Sequence, residues 1–319
     1  MLHCALIFMP ENIVSIARQA SEITLPAVND GWQTVLQFLC SQFPFIAEQT
    51  WRERIVQHKV HWFEGEAITE QTPFMPSRRL CYYREVVSEP VIPFEHHILY
   101  QDEHILVADK PHFLPVTPGG EYVNECLLAR LKRQTGIDDL VPVHRLDRET
   151  AGLVLFSVTP ESRAQLYQLF SAGTVLKTYK AAARLTQDIQ NSPFPQHWHI
   201  ENRIEKAQPR FINAIVPGAV NAVSDITLSA QYNGIGEFTL RPHSGKTHQL
   251  RLHMQSLGMP ILHDKYYPRL LAKTALQFDN PLQLLAAELR FIHPLTQVEQ
   301  QFYSTFSLNA LRPMNKKLL

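Results

Sequence analysis

Val143–Ser157, read as VHRLDRETAGLVLFS, is the stretch on which the fold turns. Leu153, Val154, Leu155 and Phe156 make a short apolar run of the kind that forms a strand covered on both faces. Asp147 precedes that run, which places it in a loop at the mouth of a core strand. Loops held by a rigid scaffold are where catalytic groups tend to sit. Arg145 and Arg148 flank the carboxyl group and favour its ionised form. An ionised carboxylate without metal-ligand companions is a candidate nucleophile. The competing reading is a structural salt bridge, the commoner case for an arbitrary Arg-x-Asp triplet.

Downstream, Thr159 and Pro160 open a helix that ends at Gly173. The stretch TVLKTYKAAA then alternates as a strand, with Val175, Lys177 and Tyr179 on one face. Residues 188–222 read as irregular strands with a basic edge at Arg203, Lys206 and Arg210. Ile226 to Tyr232 and Ile235 to Leu240 alternate around Asn233-Gly234, the strongest short hairpin signal. That hairpin leads into RPHSGKTHQLRLHMQSLG, where Gly245 marks a turn, Thr247 an N-cap and Gly258 the helix stop. Leu250, Met254 and Leu257 form its buried stripe, and His248, Arg251 and Gln255 share another face. No acidic residue falls between Arg241 and Gln255, so this is a local basic patch.

Upstream, Ile105–Ala108 is a buried strand ending at a Lys-Pro step, followed by a helix over 124–133 that Asn124 caps and Gly136 ends. The first 89 residues read as an accessory domain. A helix begins near Asp30, its N-cap, and a second runs from about Ala47 to His58. A hairpin turns at Glu64-Gly65, and Arg78, Arg79 and Arg84 lie in a short strand region. Pro90 and Pro93 punctuate the linker into a second domain, residues 90–319.

The chain has 319 residues, long enough for two domains, with 45% hydrophobic and 19% charged residues, as in ordinary globular proteins. Lys+Arg 30 against Asp+Glu 30 leaves no net charge, so a nucleic-acid partner must be met by a local patch. Cys4, Cys40, Cys81 and Cys126 form no CxxC and read as reduced thiols of a cytoplasmic protein. MLHCALIFMPENI has no basic leader region, and no apolar run reaches membrane-spanning length. His243, His248 and His253 lack HExxH spacing and Cys companions, so no metal is expected. Rossmann and P-loop patterns are missing, which argues against a nucleotide cofactor.

HRLDRETAGLVLFS closely resembles the HRLDxxTSGLLL signature of the RluA-type RNA pseudouridine synthases, with Ala151 where that family usually has Ser. Further motifs follow in family order. HILYQDEHILVADKP resembles DxxILVxNKPxG, LKTYKAAA resembles KxYxA, and SGKTHQLRLH resembles TGRTHQIRxH with Lys246 for the usual Arg. HDKYYP resembles GDxxYG without its glycines, and LLAAELRFIHP resembles LHAxxLxFxHP. Together they span about residues 95 to 305.

The resemblance implies an α+β pseudouridine synthase fold: a mixed, mainly antiparallel sheet with flanking helices and a central active cleft. The N-terminal segment would be a small α/β accessory domain, similar to a degenerate αL-type RNA-binding domain. The implied reaction isomerises uridine in ribosomal or transfer RNA, without a cofactor, in a monomeric protein. Asp147 would be the nucleophile or base and Arg251 its basic partner, with Lys246 the runner-up. Tyr179 would lie against the target base and Arg145 would enter the gap left by the extruded nucleotide. His144, Lys177, Lys246 and His248 complete the implied substrate-binding set. Two other classes compete: a catalytically silent RNA-binding protein acting in ribosome assembly, and a hydrolase pairing Asp147 with Glu149 as acid.

Overall fold

In the computed structural model, residues 14–272 and 277–309 are described; the opening MLHCALIFMPENI, with Cys4 and the expected lack of a leader, lies outside them. The chain divides into two compact units, Met1–Pro90 with Gly119–Asn124, and Val91–Pro118 with Glu125–Leu319. The Gly119–Asn124 loop, which the sequence reading assigns to the second domain, thus groups with the first.

The N-terminal unit holds β1 (Val14–Ile16), β2 (Ser21–Thr24), α1 (Val35–Gln42), α2 (Glu48–Val56), β3 (Val60–Trp62), β4 (Arg79–Tyr82) and β5 (Glu85–Val87). A three-stranded antiparallel sheet runs in the order β2-β4-β3, and β1 pairs with β5. Phe38, Leu39, Trp51, Val60, Trp62 and Leu80 make one core from both helices and the sheet. The first helix starts later than expected. Thr34, not Asp30, caps it by accepting from the Gln37 N–H at 3.2 Å, because Asn29 and Gly31 engage in a turn ahead of it.

The second unit holds β6 (His97–Gln101), β7 (Ile105–Lys110), α3 (Leu127–Thr135), β8 (Val141–Pro142), β9 (Ala151–Ser157), α4 (Pro160–Ser171), β10 (Leu176–Arg184) and α5 (Gln187–Gln190). It continues with β11 (Gln196–Lys206), β12 (Asn213–Val216), β13 (Ala222–Tyr232), β14 (Ile235–Pro242), α6 (Gln249–Ser256), β15 (Leu284–Ile292) and β16 (Glu299–Tyr303). One 11-stranded sheet runs β12-β11-β13-β14-β10-β15-β9-β7-β6, with β16 beside β15 and β8 beside β9. All its ladders are antiparallel except β15 with β9. The expected mixed, mainly antiparallel sheet is what forms.

Residues 188–222 are more regular than their composition suggests, since β11 is an 11-residue strand. Asn124 does not cap α3; Cys126 takes the N-cap position, and Gly136 closes the helix in the left-handed region as expected. Helix α6 packs Leu250 and Met254 against Ile226, Phe238 and Leu240 of the sheet. It opens at His248, which holds φ +59°, rather than at Thr247.

Three central strands set up the site. Tyr179 of β10 lies opposite Ala286 of β15, and Ala286 lies opposite Gly152 of β9. A Cβ on Gly152 would stand 2.2 Å from the Ala286 carbonyl oxygen, so only glycine lets β9 start this close to β15. The close approach brings the loop ahead of β9, with Asp147, towards Tyr179.

Candidate active site

The loop from Val143 to Thr150 is held from below by Lys110, the last residue of β7. Its side chain is fully buried, and Nζ donates to the carbonyls of Leu114 at 2.7 Å, Pro111 at 2.9 Å and Arg148 at 3.1 Å. Burial pushes its pKa down to about 7, opposed by the charges of Glu149 and Asp147. Three carbonyl acceptors match the three N–H bonds of an ammonium group, which favours the charged form in place. His112 adds a second brace: its Nδ1–H donates to the Glu149 carbonyl at 2.7 Å. Burial, and then the neighbouring Lys110 charge, push that imidazole down to about 4 and keep it neutral.

Asp147 stands at the top of this loop, with its side chain 28% exposed. Arg251, on α6, is 1% exposed and reaches it through Nη1 at 3.3 Å from Oδ2. The other edge of the guanidinium is taken. Nε and Nη2 donate to the two carboxylate oxygens of Asp264 at 2.7 and 2.6 Å. A planar fork held on one edge is fixed in orientation, and here that orientation points Nη1 at Asp147. Burial disfavours the Arg251 charge, but the bonds and charge of Asp264, and then Asp147, outweigh it and raise its pKa. Asp264 is itself fixed by the backbone N–H groups of Tyr266 and Tyr267, at 2.8 and 3.1 Å. The Tyr266 ring lies 4.7 Å from the Arg251 Cζ, a cation–π contact that walls off the guanidinium.

His248 approaches Asp147 more loosely, with Nε2 at 3.7 Å from Oδ2, while Nδ1 lies 2.9 Å from the Tyr267 hydroxyl. Its pKa is lowered chiefly by burial, against the pull of Asp147. Tyr179 is half-buried on β10, and its hydroxyl has no hydrogen-bond partner among the described residues. Burial raises the pKa of its phenol, and the Asp147 charge raises it further, so the group stays protonated. The cleft therefore brings together an exposed carboxylate, a buried cation aimed at it, and an aromatic face.

The other residues singled out from the sequence divide. Arg145 and Lys246 are exposed. Lys177 is half-buried, with Nζ 3.4 Å from the Ser244 carbonyl, and burial lowers its pKa. His144 has other duties than substrate contact. Its ring stacks on Phe170 at 4.6 Å, and Nε2 accepts from the Leu155 N–H at 3.1 Å. An acceptor nitrogen excludes a proton there, and burial, then Lys177, push its pKa to about 3. Glu149 is buried and paired with Arg148 at 2.6 Å, which removes it as the proton donor that a glycosidase-like reading needs. The three imidazoles considered for a metal go to different partners: His243 to Asp225, His248 towards Asp147, and His253 to Asn202.

Sequence reasoning missed Asp264 and Lys110 as members of the site. The signal for Asp264 was the retention of its carboxylate and both aromatics in HDKYYP despite the lost glycines. The signal for Lys110 was a basic residue closing a strand that is otherwise a run of core positions.

Comparison with known proteins identifies the family of the chain. A family model described as RNA pseudouridylate synthase matches residues 104–256. An RNA pseudouridine synthase of Synechocystis is 28% identical over 276 residues, covering 82% of this chain and 90% of that protein. The dual-specificity RNA pseudouridine synthase RluA of Haemophilus influenzae is 33% identical over 202 residues, covering 62% of this chain and 88% of that protein. Other relatives bear the names tRNA pseudouridine synthase C and ribosomal large subunit pseudouridine synthase C, both from Vibrio species. Among solved structures, human RNA pseudouridylate synthase domain containing 1 superposes with a TM-score of 0.54 at 22% identity, over 69% of this chain and 88% of that one, a likeness of fold.

Proposed function

The chain belongs to the RluA-type RNA pseudouridine synthases, isomerases that act on RNA, and from that premise we propose that Asp147 is the carboxylate that acts on the target nucleotide. The observation that carries this reading is the Arg251 clamp: its Nε and Nη2 edge is held by Asp264 while Nη1 donates to a carboxylate that stays partly open to solvent. The cation is 1% exposed and the Asp147 side chain 28% exposed, so the carboxylate remains within reach of a ligand.

The reaction breaks the bond between the ribose and the uracil nitrogen, turns the base, and joins a ring carbon to the same ribose. Atoms balance within the nucleotide, so no external group is consumed. Asp147 either attacks the ribose or removes a proton from it, and in both cases Arg251 stabilises the carboxylate electrostatically at no cost of reorganisation. The target base must leave the RNA stack, at a cost of a few kcal/mol. Exposed Arg145 is suited to fill the gap, since a planar guanidinium both stacks and hydrogen-bonds. Tyr179 offers its ring to the extruded uracil, a contact worth about 1–3 kcal/mol. Lys246, at the exposed turn before α6, serves the RNA backbone, while buried His248 acts from beside Asp147 on the nucleotide itself.

The relatives' names point to a uridine in structured transfer or ribosomal RNA as the substrate. On this reading the protein is a monomer working in the cytoplasm; no helix among the described residues is long and apolar enough to cross a membrane. A transcriptome-wide pseudouridine map tests the reading. Cells with the intact protein should carry a pseudouridine that is lost both without the protein and with Asp147→Ala alone. A site retained with Asp147→Ala would remove Asp147 from the chemistry.

A further inference from the structure

A second concavity opens on the outer side of the Arg251 clamp. It holds about 410 Å³, with α6 as its floor, the β11–β12 hairpin as one wall and the segment Tyr266–Leu270 as the other. Asn213, Ile215, Leu252 and Gln255 line it, and none of its lining residues is acidic. Tyr266 belongs to both sites. One side of its ring meets Arg251, and the ring of Phe211 lies 5.5 Å from it. Phe211 is 53% exposed in the hairpin tip, so an aromatic face stands in solvent one ring beyond the catalytic cation.

Three exposed cations belong to the chain segments that border the cleft. Lys206 follows buried Ile204 on the same side of β11, Arg210 precedes Phe211, and Arg269 sits between two cleft residues, Pro268 and Leu270. None of the three has an ion pair or side-chain hydrogen bond among the described residues. Arg203, on the opposite side of β11, is by contrast neutralised by Glu205. An uncovered ring, a cleft without carboxylates and unneutralised cations together fit a nucleotide, whose base needs a stacking face and whose phosphates need positive charge.

We propose that this cleft holds the RNA nucleotide adjoining the target uridine, its base stacked on Phe211 and its phosphates met by Lys206, Arg210 and Arg269. The inference rests on the reading of Asp147 as acting on RNA. Extruding the uridine strips one face of its neighbour of its stacking partner, and single-stranded nucleotides are recognised by aromatic stacking of this kind. Phe211 supplies the replacement face. The contact is made equally before and during the reaction, so it governs RNA affinity rather than turnover.

The test uses the full chain and a stem-loop RNA carrying the uridine found by mapping, with 2-aminopurine placed in turn on each side of it. One of the two positions should be quenched on binding. Phe211→Ala should abolish that quenching and raise KM about ten-fold with kcat within about two-fold, and Phe211→Trp should restore both. Replacing Lys206, Arg210 and Arg269 by Gln together should reduce the salt slope of binding by about 2, from about 0.7 per phosphate contact. Normal pseudouridine formation with wild-type quenching and KM in Phe211→Ala would overturn the subsite and leave the assignment of Asp147 intact. Failure of the unaltered enzyme to modify the RNA would overturn that assignment first, and the subsite with it.

Discussion

In the N-terminal unit Arg52, Arg54, Lys59, Arg78 and Arg79 each meet a carboxylate of the same unit, whereas in the catalytic unit Arg145, Lys206, Arg210, Lys246 and Arg269 carry no ion pair among the described residues. Arg84, which the sequence groups with the first set, donates to the Gly120 carbonyl at 2.8 Å. A cation already answered by its own chain releases little when it meets a phosphate, because one favourable contact must be given up for another. The difference shows why net charge is a poor guide here. A chain with no net charge can still present a phosphate-binding surface where a set of cations stands without carboxylates, even though Arg148, Arg163, Lys180, Arg203 and Arg290 of the same unit are paired. Arg251 is an exception of another kind: a buried cation of the catalytic unit shared between two carboxylates, one buried and one partly open.

The largest expected effect comes from that exception. Arg251→Lys keeps the charge but loses the fork, so one ammonium cannot serve Asp264 and Asp147 together. Turnover should fall about 10³-fold while RNA affinity changes little, read by single-turnover pseudouridine formation beside filter binding. An unaffected rate would show that the charge alone suffices. Next is Arg54→Ala in the N-terminal unit. Arg54 bonds Glu85 at 3.0 Å in a largely buried pair, and Lys59 remains to hold the carboxylate. The loss should cost about 2 kcal/mol of stability by denaturant unfolding, with RNA affinity unchanged.

Proton uptake separates the units further. The catalytic unit keeps His144 neutral down to about pH 3, and His112 and His253 down to about pH 4. Unfolded, each would titrate near the ordinary histidine value of about 6.5. Their folded pKa values are depressed, so the unfolded chain binds more protons below that value. Stability is therefore full above about pH 6.5 and declines as pH falls towards 4, by up to about 1.4 kcal/mol per pH unit for each imidazole. Thermal melts between pH 8 and pH 5 should show the decline, and a flat profile would mean that the three rings are solvated.

The smallest effect is the sharpest check on the comparison. Arg78→Gln with Arg79→Gln should leave the RNA Kd within about two-fold and the salt slope unchanged, since Glu66 and Glu22 already neutralise both cations. A clear drop in affinity would make the N-terminal unit part of the RNA surface and dissolve the contrast.

What local sequence decides was readable. The all-apolar run after Asp147 became β9, Asn233-Gly234 became the β13–β14 turn with both residues at positive φ, and Thr159-Pro160 opened α4. These depend on neighbours within a few residues, where spacing and backbone preference act directly. Asp147, Tyr179 and Arg251 were also legible as separate residues, because the motifs that hold them resemble those of a known family. Their arrangement was not. Asp264 aims Arg251 across a 13-residue separation and Lys110 holds the Arg148 carbonyl from 38 residues away. His144 stacks on Phe170, where the family resemblance had implied substrate. Whether a cation is free depends on the same kind of contact, as with Arg54 and Glu85, 31 residues apart. Sequence alone determined the strands, the turns and the candidate side chains; tertiary structure decided which charges are neutralised, because the carboxylate that answers each one arrives through strand pairing and packing, which carry no local period.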